Sequence, residues 1–270
     1  MLTRAIPKTA ELLPAIGLGT WQTFDVPREA RAPLVAVVSR FLDAGGRVID
    51  SSPMYGRAEE ATGDLVERAS ASGKPFLATK VWTRGRREGI AEMERSMRRM
   101  RTERMDLMQI HNLLDWRTHL PVLREWKRDG RIRYIGITHY AHSAFAEMES
   151  ILASEDVDFV QLPYSVVDRA AEKRLLPAAK NAGAAVLVMR PFDEGGLFSR
   201  VRGKALPEWA GEHGCTSWAS LALKFILSHP AVTCPIPATS SAAHLAENLE
   251  AGEGAMLDEA ALRRVATLFD

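Results

Sequence analysis

The sequence predicts an α/β chain folded as a single (β/α)8 TIM barrel, one domain over residues 1–270, with an N-terminal hairpin and a C-terminal extra helix. Three observations predict it. Asp50, Lys80, His111, Thr138, Gln161 and Met189 recur at intervals of 23 to 31 residues, and one strand-plus-helix unit takes about 30. Most of them close a short apolar run, as in Val48-Ile49-Asp50 and Phe76-Leu77-Ala78-Thr79-Lys80, with segments of helical period between the runs. Finally, 270 residues, 46% of them apolar, suit one large α/β core. Polar residues ending successive parallel strands are the layout of an active site on the rim of such a barrel.

The elements follow in order. Thr3 to Pro14 reads as a hairpin or lid, and Ala15 to Gly19 as the first barrel strand. The first helix buries Leu34, Val37, Val38, Phe41 and Leu42 at helical spacing and stops at Gly45-Gly46. Arg47 to Asp50 is the second strand. The second helix sets Ala58, Ala61, Leu65 and Ala69 on one face, with Glu59 and Glu60 near its N-terminus, where the helix dipole favours acids; Gly73 and Pro75 end it. Phe76 to Lys80 is the third strand. In the third helix Ile90, Met93, Met97 and Met100 form a stripe that reads as core packing. Met105 to Ile110 is the fourth strand, and the fourth helix carries Leu120, Leu123 and Trp126 before Gly130. Arg133 to Ile137 is the fifth strand, and Ser143 is the expected N-cap of the fifth helix, with Phe145, Met148 and Leu152 inward. Asp158 to Gln161 is the sixth strand, and the sixth helix is expected to start near Pro177. Ala184 to Met189 is the seventh strand. After a glycine-rich stretch, the seventh helix runs from Thr216 through Trp218, Leu221, Phe225 and Ile226. Val232 to Ile236 is the eighth strand, Ala242 to Leu249 the eighth helix, and the extra helix starts at Asp258. A doubly wound sheet would need a glycine-rich nucleotide fingerprint after the first strand, and Gly17-Leu18-Gly19-Thr20-Trp21 lacks its third glycine and its acid.

Composition excludes several function classes. A formal net charge of +1 gives no overall basicity for nucleic acid. The arginine clusters Arg84-Arg86-Arg87 and Arg98-Arg99-Arg101 read as solvated faces. The two cysteines, Cys215 and Cys234, have neither disulfide-framework nor metal-ligand spacing, so no metal is expected. No apolar stretch reaches membrane-spanning length, and Met1 to Pro7 contains no secretory apolar core. A cytoplasmic protein without an obligate protein partner is the expectation.

Four side chains carry the chemistry. Tyr55 lies five residues beyond Asp50 on the loop leaving the second strand, so Asp50, Tyr55, Lys80 and His111 meet on one rim. A phenol is a weak acid, with an ordinary pKa of about 10. A nearby ammonium lowers it, an aspartate holds that ammonium charged, and a histidine bonds a carbonyl oxygen. The set suits protonation of a carbonyl oxygen while hydride arrives at its carbon. Alone, an Asp at a strand end reads as an N-cap and a buried His as a satisfied core residue; four complementary groups at consecutive strand ends read as a site.

These residues sit in segments that resemble the aldo-keto reductase family: Val48 to Gly56 followed by Glu59, Ala78 to Trp82, Asp106 to Asn112, and Gly130 to Ile137. The resemblance runs from Gly17 to Asn248. It implies a (β/α)8 barrel that binds NADP(H), with NAD(H) the alternative, and reduces a small carbonyl substrate. Tyr55 is then the general acid, Lys80 and Asp50 tune it, and His111 orients the carbonyl. Gly19, Thr20 and Trp21 match the first-strand end that borders cofactor and substrate, and Gln161 matches the glutamine that holds the nicotinamide carboxamide. Thr138-His139 replaces a common Ser-Asn, and Met189 replaces a tyrosine that stacks on the nicotinamide. Arg190, Pro191 and Phe192, with Gly196 and Leu197, match the segment over the pyrophosphate. Pro237, Ala238, Thr239, Ser240, His244, Glu247 and Asn248 match the adenosine-phosphate site, with Ala238 and His244 where many members have Lys and Arg. Ser241 there also reads as an ordinary N-cap. Trp21, Met54, Trp82 and Asn112 are the expected substrate pocket. The resemblance leaves a second function class, a cofactor-binding regulatory or redox-sensing subunit with slow turnover. An unrelated phosphate-binding barrel would need a metal cluster or a different base.

Overall fold

The computed structural model describes residues 1–69 and 73–269. Strands β1 (Thr3–Ala5) and β2 (Leu12–Pro14) pair antiparallel as the expected hairpin. Eight parallel strands follow in sequential order: β3 (Leu18–Gly19), β4 (Val48–Asp50), β5 (Phe76–Val81), β6 (Met105–His111), β7 (Ile132–Thr138), β8 (Phe159–Pro163), β9 (Ala185–Met189) and β10 (Cys234–Pro235). The sheet closes on itself: a parallel bridge joins Gly19 to Ala238, and the Gly17 and Gly19 amides donate to the carbonyls of Pro235 and Pro237 at 2.9 and 3.0 Å. This is the predicted (β/α)8 barrel.

Its helices are α1 (Ala32–Asp43), α2 (Ala58–Arg68), α3 (Arg86–Arg99), α4 (Trp116–Arg128), α5 (Phe145–Ser154), α6 (Leu175–Ala182), a short α7 (Gly196–Arg200), α8 (Trp218–Ser228), α9 (Ala242–Glu250) and the extra α10 (Glu259–Thr267). Among the described residues, no helix is long and apolar enough to cross a membrane.

Several predicted boundaries shift, each for a visible reason. The first barrel strand shrinks to Leu18–Gly19 because the Ala15 amide donates to Leu2, beside the hairpin, rather than to the sheet. The last strand shrinks to Cys234–Pro235 because Pro235 and Pro237 have no amide hydrogen for the ladder. Ser143 is not an N-cap. It lies within a 3-10 turn, His142–Ala144, and α5 begins at Phe145 with no side-chain cap. Helix α6 starts at Leu175 and tolerates Pro177 in its first turn, where no intrahelical donor is needed. Helix α8 starts at Trp218, with Ser217 and Ser220 forming a capping box.

Two apolar clusters show which way the strands face. Val48, Phe76, Ala78, Leu107, Tyr134, Phe159, Ala185, Leu187 and Cys234 fill the barrel interior, while the alternate residues, such as Ile49, Leu77, Met108 and Ile135, pack under the helices. With a side-chain period of two, the inward phase continues through Asp50, Lys80, His111, Thr138, Gln161 and Met189. One geometric rule therefore brings all six polar strand ends to one mouth.

Candidate active site

The pair at the centre comes from adjacent strands. Lys80 Nζ lies 2.6 Å from Asp50 Oδ2 and donates to the Ser51 carbonyl at 2.7 Å. Both side chains are buried. Nζ also stands 5.1 Å from the centre of the Tyr55 ring. Tyr55 reaches this position on the turn after β4, where its amide donates to the Ser52 carbonyl at 3.0 Å. Gly56 completes that turn at φ +61°, against the carboxyl of Asp25, where an added Cβ would lie 2.4 Å from Asp25 Cγ.

Burial pushes the Tyr55 phenol above its usual range; Lys80 pulls against this, and Asp50 adds to the rise. The expectation that Lys80 sets a lowered phenol pKa is thus corrected: the cation acts in that direction, but the dry environment outweighs it. Burial also works against the Lys80 cation, yet Asp50 and Tyr55 outweigh it and hold the ammonium above its ordinary range. Burial, then the charge on Lys80, and then His139 lower His111 to about 3. Its imidazole is therefore neutral at physiological pH. His111 Nδ1 lies 3.0 Å from Ser52 Oγ, and the ring stands edge-on to Tyr55, 6.0 Å between centres. Ser52 had no signal in the sequence beyond its place in the turn.

These groups open onto a cleft of about 580 Å³ lined by Thr20, Trp21, Met54, Tyr55, His111 and Asn112 on one side and Gln161, Met189, Arg190, Pro191 and Phe192 on the other. At its base, Thr138 Oγ1 donates to Gln161 Oε1 at 3.2 Å, while Gln161 Nε2 is buried without a partner among the described residues. His139 Nδ1 accepts the Ala141 amide at 3.0 Å and its ring stacks on Tyr140. Arg190 lies over the Tyr140 ring at 4.7 Å and pairs with Glu194 at 3.0 Å. Tyr140 and Glu194 also line this cleft and escaped sequence reasoning. Beyond Phe192, Phe198 and Ala238 the cleft continues into a second hollow of about 410 Å³, lined also by Thr239, His244, Glu247 and Asn248. Ser217 and Trp218 join it from the start of α8, a region that sequence spacing tied only to packing.

Gly196, Leu197, Pro237 and Ser240 line neither hollow. Leu197 packs in the core, and Gly196 lies against the Asp193 carboxylate. Gly19 and Ala238 meet at the barrel seam and line the cleft. Pro237 belongs to that seam, and Ser240 is exposed just before the Ser241 N-cap, which accepts the His244 amide. Trp82 is 41% exposed and does not line the larger hollow, but its ring centre is 6.1 Å from that of His111. Gln22, Asn112, Arg190 and Glu194, all at the rim, hold left-handed backbone conformations that non-glycine residues rarely adopt.

A closed barrel with its polar groups gathered at the carboxyl ends of the strands is the arrangement from which barrel enzymes work. The chain belongs to the aldo/keto reductase family, which matches residues 15–269. It is 26% identical over 263 residues to methylglyoxal reductase YeaE of Escherichia coli, covering 92% of this chain and 91% of that protein. It is 25% identical to the glyoxal reductase of Bacillus subtilis, covering 83% and 78%. Among solved structures, a thermostable aldo-keto reductase in complex with the inhibitor epalrestat superposes with a TM-score of 0.82 at 26% identity, over 99% of this chain and 100% of that one. A Klebsiella pneumoniae aldo/keto reductase in complex with NADP and acetate shares the fold with a TM-score of 0.80 at 24% identity, over 100% and 96%.

Proposed function

We propose that this chain, acting as one domain, reduces small aldehydes or ketones to alcohols with NADP(H), using Tyr55 as the general acid. One observation carries the reading: Tyr55, backed by the buried Lys80–Asp50 pair, and His111 line the same cleft as Gln161, whose buried amide nitrogen has no partner among the described residues. A buried donor without a partner is costly unless a ligand completes it. The nicotinamide carboxamide offers the missing acceptor, so the residues fit that cofactor, which when bound supplies hydride. Thr138 and His139 would complete the carboxamide end, and Met189 would border the ring. Arg190 would hold the pyrophosphate, and Thr239, Ser240, His244 and Asn248 would hold the adenosine phosphate.

The chain's own groups then divide the work. His111, neutral, bonds the substrate oxygen and orients it. Tyr55 gives its phenolic proton to that oxygen. Lys80 stabilises the phenolate left behind, and Asp50 keeps Lys80 charged and in place. A phenol kept protonated by burial is a competent donor through neutral pH. The relatives named for methylglyoxal and glyoxal reduction support small, reactive carbonyls as the substrate class.

The test is NADPH oxidation with methylglyoxal, glyoxal, propanal and benzaldehyde. Repeated turnover with at least one is expected. A single slow oxidation, stoichiometric with protein, would overturn this reading in favour of a redox-sensing subunit.

A further inference from the structure

Strand β6 carries an inward polar side chain that none of these steps uses. Gln109 precedes His111 by two residues and lies beside Lys80 in the β5–β6 register. It is fully buried. Its Nε2 donates to Asp50 Oδ1 at 2.9 Å, while Lys80 takes Oδ2 at 2.6 Å. The two carboxylate oxygens are thus divided between donors on two neighbouring strands. The terminal torsion of an aspartate is broad, so one donor leaves the carboxylate plane free to turn, whereas two fix it.

The surroundings are arranged for this contact. Gly136 pairs with Gln109 across β6–β7, and a Cβ there would lie 2.8 Å from Gln109 Cγ. The missing side chain leaves the amide its room. Gln109 Oε1 has no partner among the described residues. A half-satisfied buried amide lowers stability, and an apolar side chain at this position would avoid that cost. What the amide adds is the bond to Asp50. That bond matters because Asp50 and the Ser51 carbonyl hold the Lys80 ammonium where it stands, 5.1 Å from the centre of the Tyr55 ring. A turned carboxylate draws the ammonium away from the phenol.

Building on the reductase reading, we infer that Gln109 is a positioning residue: by fixing the plane of the Asp50 carboxylate it keeps Lys80 aligned on Tyr55 during proton transfer. Asp50 is faced by Lys80 from β5, Gln109 from β6, Tyr55 from the turn after β4 and Cys234 from β10. Of these, only Lys80 and Gln109 donate to the carboxylate in the bonds described above.

Two variants test this. Gln109→Met keeps length and removes the donor. It should lower kcat about tenfold, as expected for a lost bond to a charged group, and shift the pH–rate profile. KM for cofactor and substrate should change less than about twofold. Gln109→Glu places a second carboxyl beside Asp50. Like charges that close share a proton, so the new side chain donates as the amide did once the pH is low enough. Its kcat should therefore recover toward the parent value in acid, which a purely structural role would not produce. A separate readout needs no substrate: the ultraviolet titration of Tyr55, isolated by difference from Tyr55→Phe, should shift in Gln109→Met. A folded Gln109→Met with parental kcat and parental Tyr55 titration would overturn the inference, as would Gln109→Glu without recovery in acid. If the parent fails to turn over, the reductase reading fails, while the titration still decides the role of Gln109.

Discussion

At the β4–β6 end of the cleft, the Asp50 carboxylate is held by Lys80 and Gln109, and Lys80 also donates to the Ser51 carbonyl. At the β8–β10 end the residues are arranged around something else. Gln161 Nε2 is buried without a partner among the described residues, Arg190 and Glu194 hold left-handed backbone and pair with each other, and the second hollow offers hydroxyls and an imidazole. Among the described residues lining that hollow there is no lysine or arginine. At the first end the charges are paired within the protein; at the second, a cleft-lining amide keeps a donor unpaired among the described residues. Changes at the first end should therefore act on the chemical step, and changes at the second on cofactor affinity.

The largest expected effect breaks the first end. Tyr55→Phe removes the proton donor and should lower carbonyl reduction by about 10²–10⁴-fold while cofactor binding, read by fluorescence titration, holds. Retention of more than about a third of turnover with chemistry rate-limiting would remove Tyr55 from that role. Lys80→Met should follow. It leaves the Asp50 carboxylate buried without its cation, and breaking such a pair costs about 3–5 kcal/mol. Both the melting temperature and the pH–rate profile should change. Asp50→Asn, which keeps shape and Lys80, should impair turnover less. An unchanged profile in Lys80→Met would dissociate the lysine from the phenol.

His111 links the same end to acid stability. Its folded pKa, about 3, lies below the ordinary 6.5 of a histidine. Between these values the unfolded chain binds the proton that the folded chain refuses, so stability is full above the higher value and is lost as the pH falls toward the lower. At about pH 5 the loss is about 2 kcal/mol. Denaturant titrations of the parent and His111→Gln at about pH 7 and about pH 5 should show a smaller acid loss in the variant. Equal losses would mean that His111 is accessible to protons in the folded chain.

How much of this was legible beforehand follows from which signals are local. The period-two alternation places Asp50, Lys80, His111 and Gln161 on the inward face without any three-dimensional knowledge. Tyr55, whose position depends on a turn rather than on a strand, was legible from its five-residue spacing to Asp50 and its chemistry, and the resemblance added its role as general acid. Seams and loops were not legible. Pro235 and Pro237 shorten the last strand through missing donors, and Ser143 loses its cap role to a 3-10 turn. Tyr140, Ser217 and Trp218 reach the clefts only because helices and loops distant in sequence converge there. The sign of the Tyr55 shift was also out of reach, since it is a contest between burial and charge, and sequence reveals the charge alone.

A smaller effect tests the second end. A lost charge-assisted contact weakens binding by about 1.5–3 kcal/mol. With Ala238 and His244 at the adenosine-phosphate site, preference for NADP(H) over NAD(H) should be present but weak. Fluorescence titration of both cofactors measures it; tighter binding of NAD(H) would reverse the assignment.

The smallest effect concerns Trp82, on the outer edge of the first end. It stands just past β5, 41% exposed, with its ring centre 6.1 Å from that of His111. An indole so placed either walls the substrate side of the mouth or merely packs against the loop, and the two roles separate by substrate size. If it walls the mouth, Trp82→Ala removes apolar contact from a large ring but none from a three-carbon aldehyde, at about 25 cal/mol for each Å² no longer buried. KM for benzaldehyde should then rise severalfold, KM for propanal and cofactor affinity should hold, and the melting temperature should move little, because the side chain is already half in water. A proportionate loss on both substrates together with a marked fall in melting temperature would instead make Trp82 a prop for the loop that carries it.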